Sequence, residues 1–275
     1  MPVEIIKEEE KNSSENSSSL SKFFVVPKEF VKIPSKGKVY PKDSGVSKED
    51  VEMRYMTAAD EDDLTSPSLI RKGIWLSKLL TNCIVNKNFD PDNLLVGDRN
   101  ALLFWLRQSA YGTSYELSVK CPSCNDDFIN MFHLNQLIMN VLDIEPVSPG
   151  KNEFQFVLPT SKAKINFSFM TGKMATELDK EMEHQTNSKV PEEKVITTRL
   201  KKQIISIEGE TDIKLIEKFI NQAMLATDSL ALRRFIDEHT PDVILKQNAT
   251  CQKCGATNEF DIPIEIQFFW PQSRS

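Results

Sequence analysis

The residues with the clearest chemical potential are four cysteines in two Cys-x-x-Cys pairs. Cys121 and Cys124 lie in "LSVKCPSCNDDF", and Cys251 and Cys254 lie in "ATCQKCGATNEF". Both stretches read in the same order: strand-like alternation, the cysteine pair, one residue that accepts positive φ cheaply, and a returning strand. That residue is Asn125 in the first and Gly255 in the second, two of the few types that adopt left-handed backbone at low cost. Such a turn aims two thiolates at one point, and two turns together make a tetrahedral four-sulfur site. Zinc suits this set, at about 2.3 Å from each sulfur. Iron of the rubredoxin type is the other metal the set accepts.

Four thiolates fill a tetrahedral shell and leave no position for a catalytic water, so the site is expected to be structural. Neither pair opens a helix in a thioredoxin-like context, which argues against redox catalysis. Cys83 has no partner in its apolar helical stretch and reads as a buried, inert thiol.

No catalytic residue set emerges from the rest of the chain. His133, His184 and His239 are the three histidines, and none falls in an HExxH-type spacing or beside a plausible nucleophile. No glycine-rich phosphate loop occurs, and "PSKGK" (34–38) reads as a turn. The acidic run Asp60, Glu61, Asp62 and Asp63 reads as the solvated opening turn of a helix, where negative charge complements the helix dipole. Asp98, Arg99 and Arg107 on one helix, and Arg233 and Arg234 on another, read as internal ion pairs ahead of partner recognition. The terminal "FFWP" (268–271) reads as a core anchor, with a protein–protein contact as the alternative.

Composition narrows the class. The 275 residues are 40% hydrophobic and 27% charged, with a net charge of -6, enough apolar content for a packed core. A net negative chain argues against nucleic-acid binding. A zinc-ribbon nucleic-acid binder is nevertheless the alternative function, opposed by Asp126, Asp127, Glu259 and Asp261 around the knuckles. No apolar run approaches the roughly 18 residues of a membrane span. Residues 1–22 are polar, unlike a signal peptide, and read as a disordered tail. Unexported and reduced thiols fit metal better than disulfides.

The elements that must position the cysteines follow from periodicity. Short strands and turns are expected from Phe23 to Pro41, a strand over 51–56, and a helix starting at Thr57. A helix beginning at Ser66-Pro67 carries Leu69, Ile70, Ile74, Leu76, Leu79 and Leu80. A further helix over 97–110, ended by Gly112, presents Leu102, Leu103, Leu106 and Ala110. Hairpins surround each cysteine pair. Between them come two strands in "NEFQFVLP" and "AKINFSFM", a helix from Thr171, and a helix or helix-then-strand in "VPEEKVITTRLKKQIISIEG". The long helical stretch 211–243 is expected to break at Asp228-Ser229.

Taken in order, "IPSKGKVYP", "AADEDDL", "LLVGDRNALLFWLRQSAYG", "CPSC", "DSLALRRFIDEHTPDV", "CQKCG" and "FFWP" resemble the baseplate hub and hub-assembly proteins of T-even-type contractile-tailed bacteriophages, over most of 30–271. The polar tail lies outside the resemblance. It implies a non-enzymatic late protein that meets other phage baseplate, hub or tail proteins, in the virion tail baseplate or in the host cytoplasm during assembly. Oligomerisation is left open.

The fold expected is α+β: short antiparallel hairpins with packed helices and a zinc-ribbon-like site. Its divisions are a tail (1–22), an α+β region with the first knuckle (23–144), an inserted mixed or helical subdomain (145–239), and a C-terminal hairpin (240–275). Residues 23–130 and 240–271 are expected to share a core through the metal.

Overall fold

The computed structural model describes residues 24–46, 48–186 and 194–269. The expected tail, and Trp270 and Pro271 of the aromatic ending, lie outside these residues. The fold is mixed helix and small antiparallel sheets. β1, Lys28–Lys32, pairs with β2, Asp50–Arg54, and alternation turns Val31, Val51 and Met53 into the core. Between them the "PSKGK" stretch makes the expected turn, with Lys36 and Gly37 at φ 53° and 69°.

α1, Ala58–Thr65, begins where Asp60 accepts the Thr57 N–H at 2.8 Å. The acidic run is only partly the solvated face expected of it. Asp62 is exposed, but Asp60 is buried and accepts both arms of Arg54, at 2.7 and 2.9 Å. Burial opposes charge on Asp60, yet Arg54 and the Thr57 donors prevail and hold the carboxyl at about 2. The expected helix after Ser66 is two helices, α2, Pro67–Arg71, and α3, Trp75–Cys83. Gly73 at φ 66° breaks them apart, and Ile74 is left exposed.

The central element is α4, Val96–Tyr111, ended by Gly112 at φ 81°. It is buried on more than one stripe: Leu102, Leu103 and Leu106 are inside, and so are Asp98, Arg99 and Arg107. Ala110, expected in the apolar stripe, is exposed. Arg99 pairs with Asp92 at 2.7 Å, as an internal ion pair. Arg107 instead donates to three carbonyls, of Phe268 (2.6 Å), Gly112 (2.9 Å) and Ser114 (3.2 Å). Gly97 lets another segment pass close by, since a Cβ there would sit 2.0 Å from the Pro241 carbonyl oxygen.

β3, Ser114–Lys120, and β4, Asp127–His133, form the first cysteine hairpin, with Tyr115 opposite Phe132 and Val119 opposite Phe128 on its buried face. The short β5, Ile138–Asn140, follows. β6, Phe154–Val157, and β7, Lys164–Phe167, appear as expected. Next come α5, Gly172–Thr186, and α6, Val195–Gln203, which runs directly into β8, Ile204–Ile207. β6, β7 and β8 make one three-stranded sheet in that order.

The long helical stretch is α7, Ile213–Gln222, and α8, Ala226–His239. The break falls at 223–225, not at Asp228. Asp228 sits in the first turn of α8 with its carboxylate accepting the N–H groups of Thr160 (2.7 Å) and Ser161 (3.0 Å). α8 lays Phe235 on Phe156 and Phe167 of the sheet, at 4.6 and 6.0 Å between rings. Past His239 the chain is not helical: β9, Asp242–Ile244, pairs with β5. β10, Lys246–Thr250, and β11, Thr257–Asp261, are the second cysteine hairpin, and α9, Ile266–Phe269, closes the described chain. Phe268 and Phe269 are buried, against Phe104 and Tyr115 and against Trp75 respectively, so these two serve as the core anchor.

Asp98 ties the N-terminal turn to α4. It accepts the Ser35 N–H at 2.9 Å and the Tyr40 hydroxyl, and that hydroxyl in turn accepts the Leu95 N–H. Complete burial raises the carboxyl to about 6, against these hydrogen bonds. The folded chain therefore keeps a proton between about pH 4 and 6 that the unfolded chain has lost, so this group's contribution falls as pH rises through that window. In Asp98→Asn the wild type's stability advantage should widen on acidification from pH 7 to pH 4.5, by about 2 kcal/mol. Urea unfolding at both pH values checks it; a constant difference would contradict the buried charge.

Candidate metal centre

Each cysteine turn is built by backbone before the sulfurs are considered. In the first, Cys121 N–H donates to the Asp126 carbonyl (2.9 Å) and Asn125 N–H to the Cys121 carbonyl (2.8 Å). In the second, Cys251 N–H donates to the Ala256 carbonyl and Gly255 N–H to the Cys251 carbonyl, both at 2.9 Å. The residue after each pair carries the left-handed twist, Asn125 at φ 58° and Gly255 at φ 72°. The two turns are thus one structure made twice, as their residue order predicts.

The hairpins pack so that the turns meet. Phe128 of β4 stands edge-on to Phe260 of β11 at 5.9 Å, a favoured aromatic arrangement. The Gln247 side chain accepts the His133 N–H at 3.1 Å and donates to the His133 carbonyl at 2.7 Å, mimicking a strand pair between hairpins. Lys253 of the second turn donates to Asp126 of the first at 2.7 Å. None of these bridges was legible beforehand, because each joins residues more than a hundred positions apart and no local pattern marks them.

Cys121, Cys124, Cys251 and Cys254 all come together, with their sulfurs within 4.8 Å of one another. Across the turns, Cys121 Sγ is 3.8 Å from Cys254 Sγ, and Cys124 Sγ is 3.7 Å from Cys251 Sγ. Four sulfurs about 2.3 Å from one ion define a tetrahedron with edges of about 3.8 Å. The observed spacing therefore matches a shell around a single ion. Cys121 and Cys251 are buried, Cys124 is half-buried and Cys254 is exposed. Asn258 Nδ2 donates to Cys121 Sγ at 3.8 Å, a contact that orients a ligand from outside the shell.

The thiols do not share charge equally. Burial works against the Cys121 thiolate, but N–H groups of Cys124 and Ser123 and the neighbouring thiols bring it down to about 7. The Asp126 N–H favours the Cys124 thiolate, yet burial and three sulfur neighbours push it up to about 12. Four sulfurs this close cannot all ionise as free thiols; a divalent cation lets them do so and releases their protons.

Other candidates fall apart in space or turn structural. Burial pushes the Cys83 thiol up to about 12, so it is inert. His239 pairs with Asp143 at 2.7 Å and packs at a tilt against the Phe235 ring, while His133 and His184 are exposed on separate elements. Arg234 is exposed and Arg233 half-buried, and neither is seen in an ion pair among the described residues. No helix among the described residues is long and apolar enough to cross a membrane.

A family model described as T4 bacteriophage base plate protein matches residues 26–270. No curated protein and no solved structure matches the chain.

The turn geometry gives a direct test. A Cβ at position 255 would meet nothing within 4 Å, so substitution there costs only backbone strain. Gly255→Asn should keep the melting temperature and metal content, since Asn serves at 125. Gly255→Val should lose about 1–2 kcal/mol in denaturant unfolding. Equal losses for both variants would contradict the reading.

Proposed function

The chain belongs to the T4 bacteriophage base plate protein family, and on that premise we propose that it is a non-enzymatic hub component or hub-assembly factor, stapled by a structural zinc ion. A baseplate protein works in the virion tail among other phage structural proteins. The finer placement at the hub rests on the ordered sequence stretches from "IPSKGKVYP" to "FFWP". The observation that carries the structural reading is the cluster of four sulfurs within 4.8 Å of one another: four thiolates complete a tetrahedral shell, and a complete shell has no place for a substrate or an activated water. The inert Cys83 and the scattered histidines agree with it.

Zinc is favoured because it is d¹⁰ and redox-silent and takes tetrahedral thiolate sites without geometric strain. What the ion supplies is closure. It ties residues 127 positions apart, and such a tie removes about 5 kcal/mol of unfolded-chain freedom by the loop-closure estimate. The tie matters for this chain because β10 and α9 contribute Ala249, Phe268 and Phe269 to the core. A partner-facing role through protein contacts follows. Nucleic acid is disfavoured by the paired charges on the second hairpin, where Lys246 meets Glu259 at 3.2 Å and Lys253 meets Asp126.

Mass spectrometry of purified particles and of tail-assembly intermediates tests the role. Presence in both marks a component, and presence in intermediates alone marks an assembly factor; absence from both contradicts the proposal. For the ion, Cys254→Ser should lose metal and several kcal/mol together, because the binding energy of a structural site is folding energy. A variant without metal but with unchanged thermal stability would overturn the staple.

A further inference from the structure

Two of the sulfur contacts run between the hairpins. Cys121 and Cys254 are 3.8 Å apart, and Cys124 and Cys251 are 3.7 Å apart. The pairs share no member, so both can close at once. Each combines an accessible sulfur with a buried one: exposed Cys254 with buried Cys121, and half-buried Cys124 with buried Cys251. An oxidant reaching the first member of each pair meets a second thiolate in reach behind it, the arrangement of an oxidisable cysteine beside its resolving partner.

We infer that the clasp is convertible: hydrogen peroxide exchanges its metal ion for two disulfides, Cys121–Cys254 and Cys124–Cys251, and the two hairpins stay joined. The starting state rests on the metal reading above; the pairing rests on the two sulfur contacts that cross between the hairpins. In each closure the accessible thiolate attacks one peroxide oxygen, breaking the O–O bond and forming a sulfenic acid and, with a proton, one water. The buried thiolate then attacks that sulfur and forms the S–S bond. The departing hydroxide takes a proton and leaves as a second water. Two sulfurs lose two electrons, and one peroxide gains them. Two closures use two peroxides and remove all four ligands, so the ion departs.

The local structure permits the movement. A disulfide needs its sulfurs about 2.05 Å apart, so each pair must approach further. The turn tips face solvent: Ser123, Gln252, Lys253 and Gly255 are exposed. The Phe128–Phe260 contact and the Gln247–His133 bridge lie along the hairpins rather than at the tips, and need not break. Bonds within one turn, Cys121–Cys124 or Cys251–Cys254, would instead leave the hairpins untied. Cross-hairpin bonds preserve the tie under oxidising conditions, where thiolate ligands do not last.

The test uses the full-length, metal-loaded protein. Its metal content is measured first, which tests the metal reading separately. Hydrogen peroxide is then titrated in, release is followed with a chromogenic chelator, and remaining thiols are alkylated before non-reducing peptide mapping, with fragment spectra assigning partners. The expected result is one ion released per two peroxides and both cross-hairpin disulfides in the map. Dithiothreitol plus metal should restore the starting state. Disulfides within a turn, a different cross pairing, sulfinic or sulfonic acids, or an ion retained after two equivalents would each overturn the inference. If no metal is found at the outset, the metal reading fails, while the same peptide map still decides the pairing.

Discussion

Four sulfurs converging from two turns 127 positions apart tie the end of the chain to its middle. Each turn is small and locally specified, and neither buries much by itself. Their meeting sets the hairpins face to face, so that Phe128 and Phe260 touch and Gln247 can bridge to His133. It also fixes the start of the segment that carries Phe268 back to α4. Isolated two-stranded hairpins are marginal in water. Here two of them support one another through an ion-sized sulfur cluster and one aromatic contact.

α4 is the second constraint, and it depends on polar groups inside the protein. Arg107 reads three carbonyls from three segments and lies 5.4 Å over the Tyr111 ring. That satisfies a buried guanidinium without a carboxylate, and it joins α9 to the first cysteine hairpin. At the other end of the helix, Asp98 organises the 35–40 turn, and Gly97 admits Pro241 and β9. The cysteine cluster and α4 thus hold the same C-terminal segment from two sides.

The local grammar of the cysteine turns is legible because left-handed backbone favours residues such as Asn125 and Gly255, and the hairpins, β6 and β7 follow from periodicity, while the run of α6 into β8 is one of two readings that periodicity leaves open. What was not legible depends on distant partners. Asp228 has the chemistry of a helix cap but spends its carboxylate on Thr160 and Ser161, so the helix break was misplaced. Gly73 divides a stretch whose apolar spacing continues through it. The β5–β9 ladder is three residues a side, too short for alternation to register. Asp60 looks like surface charge until Arg54 is brought beside it. The charged residues of α4 read as internal ion pairs, which holds for Arg99 with Asp92, whereas the carbonyls that Arg107 takes and the Ser35 and Tyr40 donors of Asp98 come only with the folded chain.

The central claim is that one mononuclear ion, held by Cys121, Cys124, Cys251 and Cys254, closes the two hairpins. X-ray absorption at the metal edge of the purified full-length protein tests it most directly. The account predicts four sulfur neighbours at about 2.3 Å and no metal–metal scattering. A shell containing nitrogen or oxygen, or a second metal nearby, would contradict it.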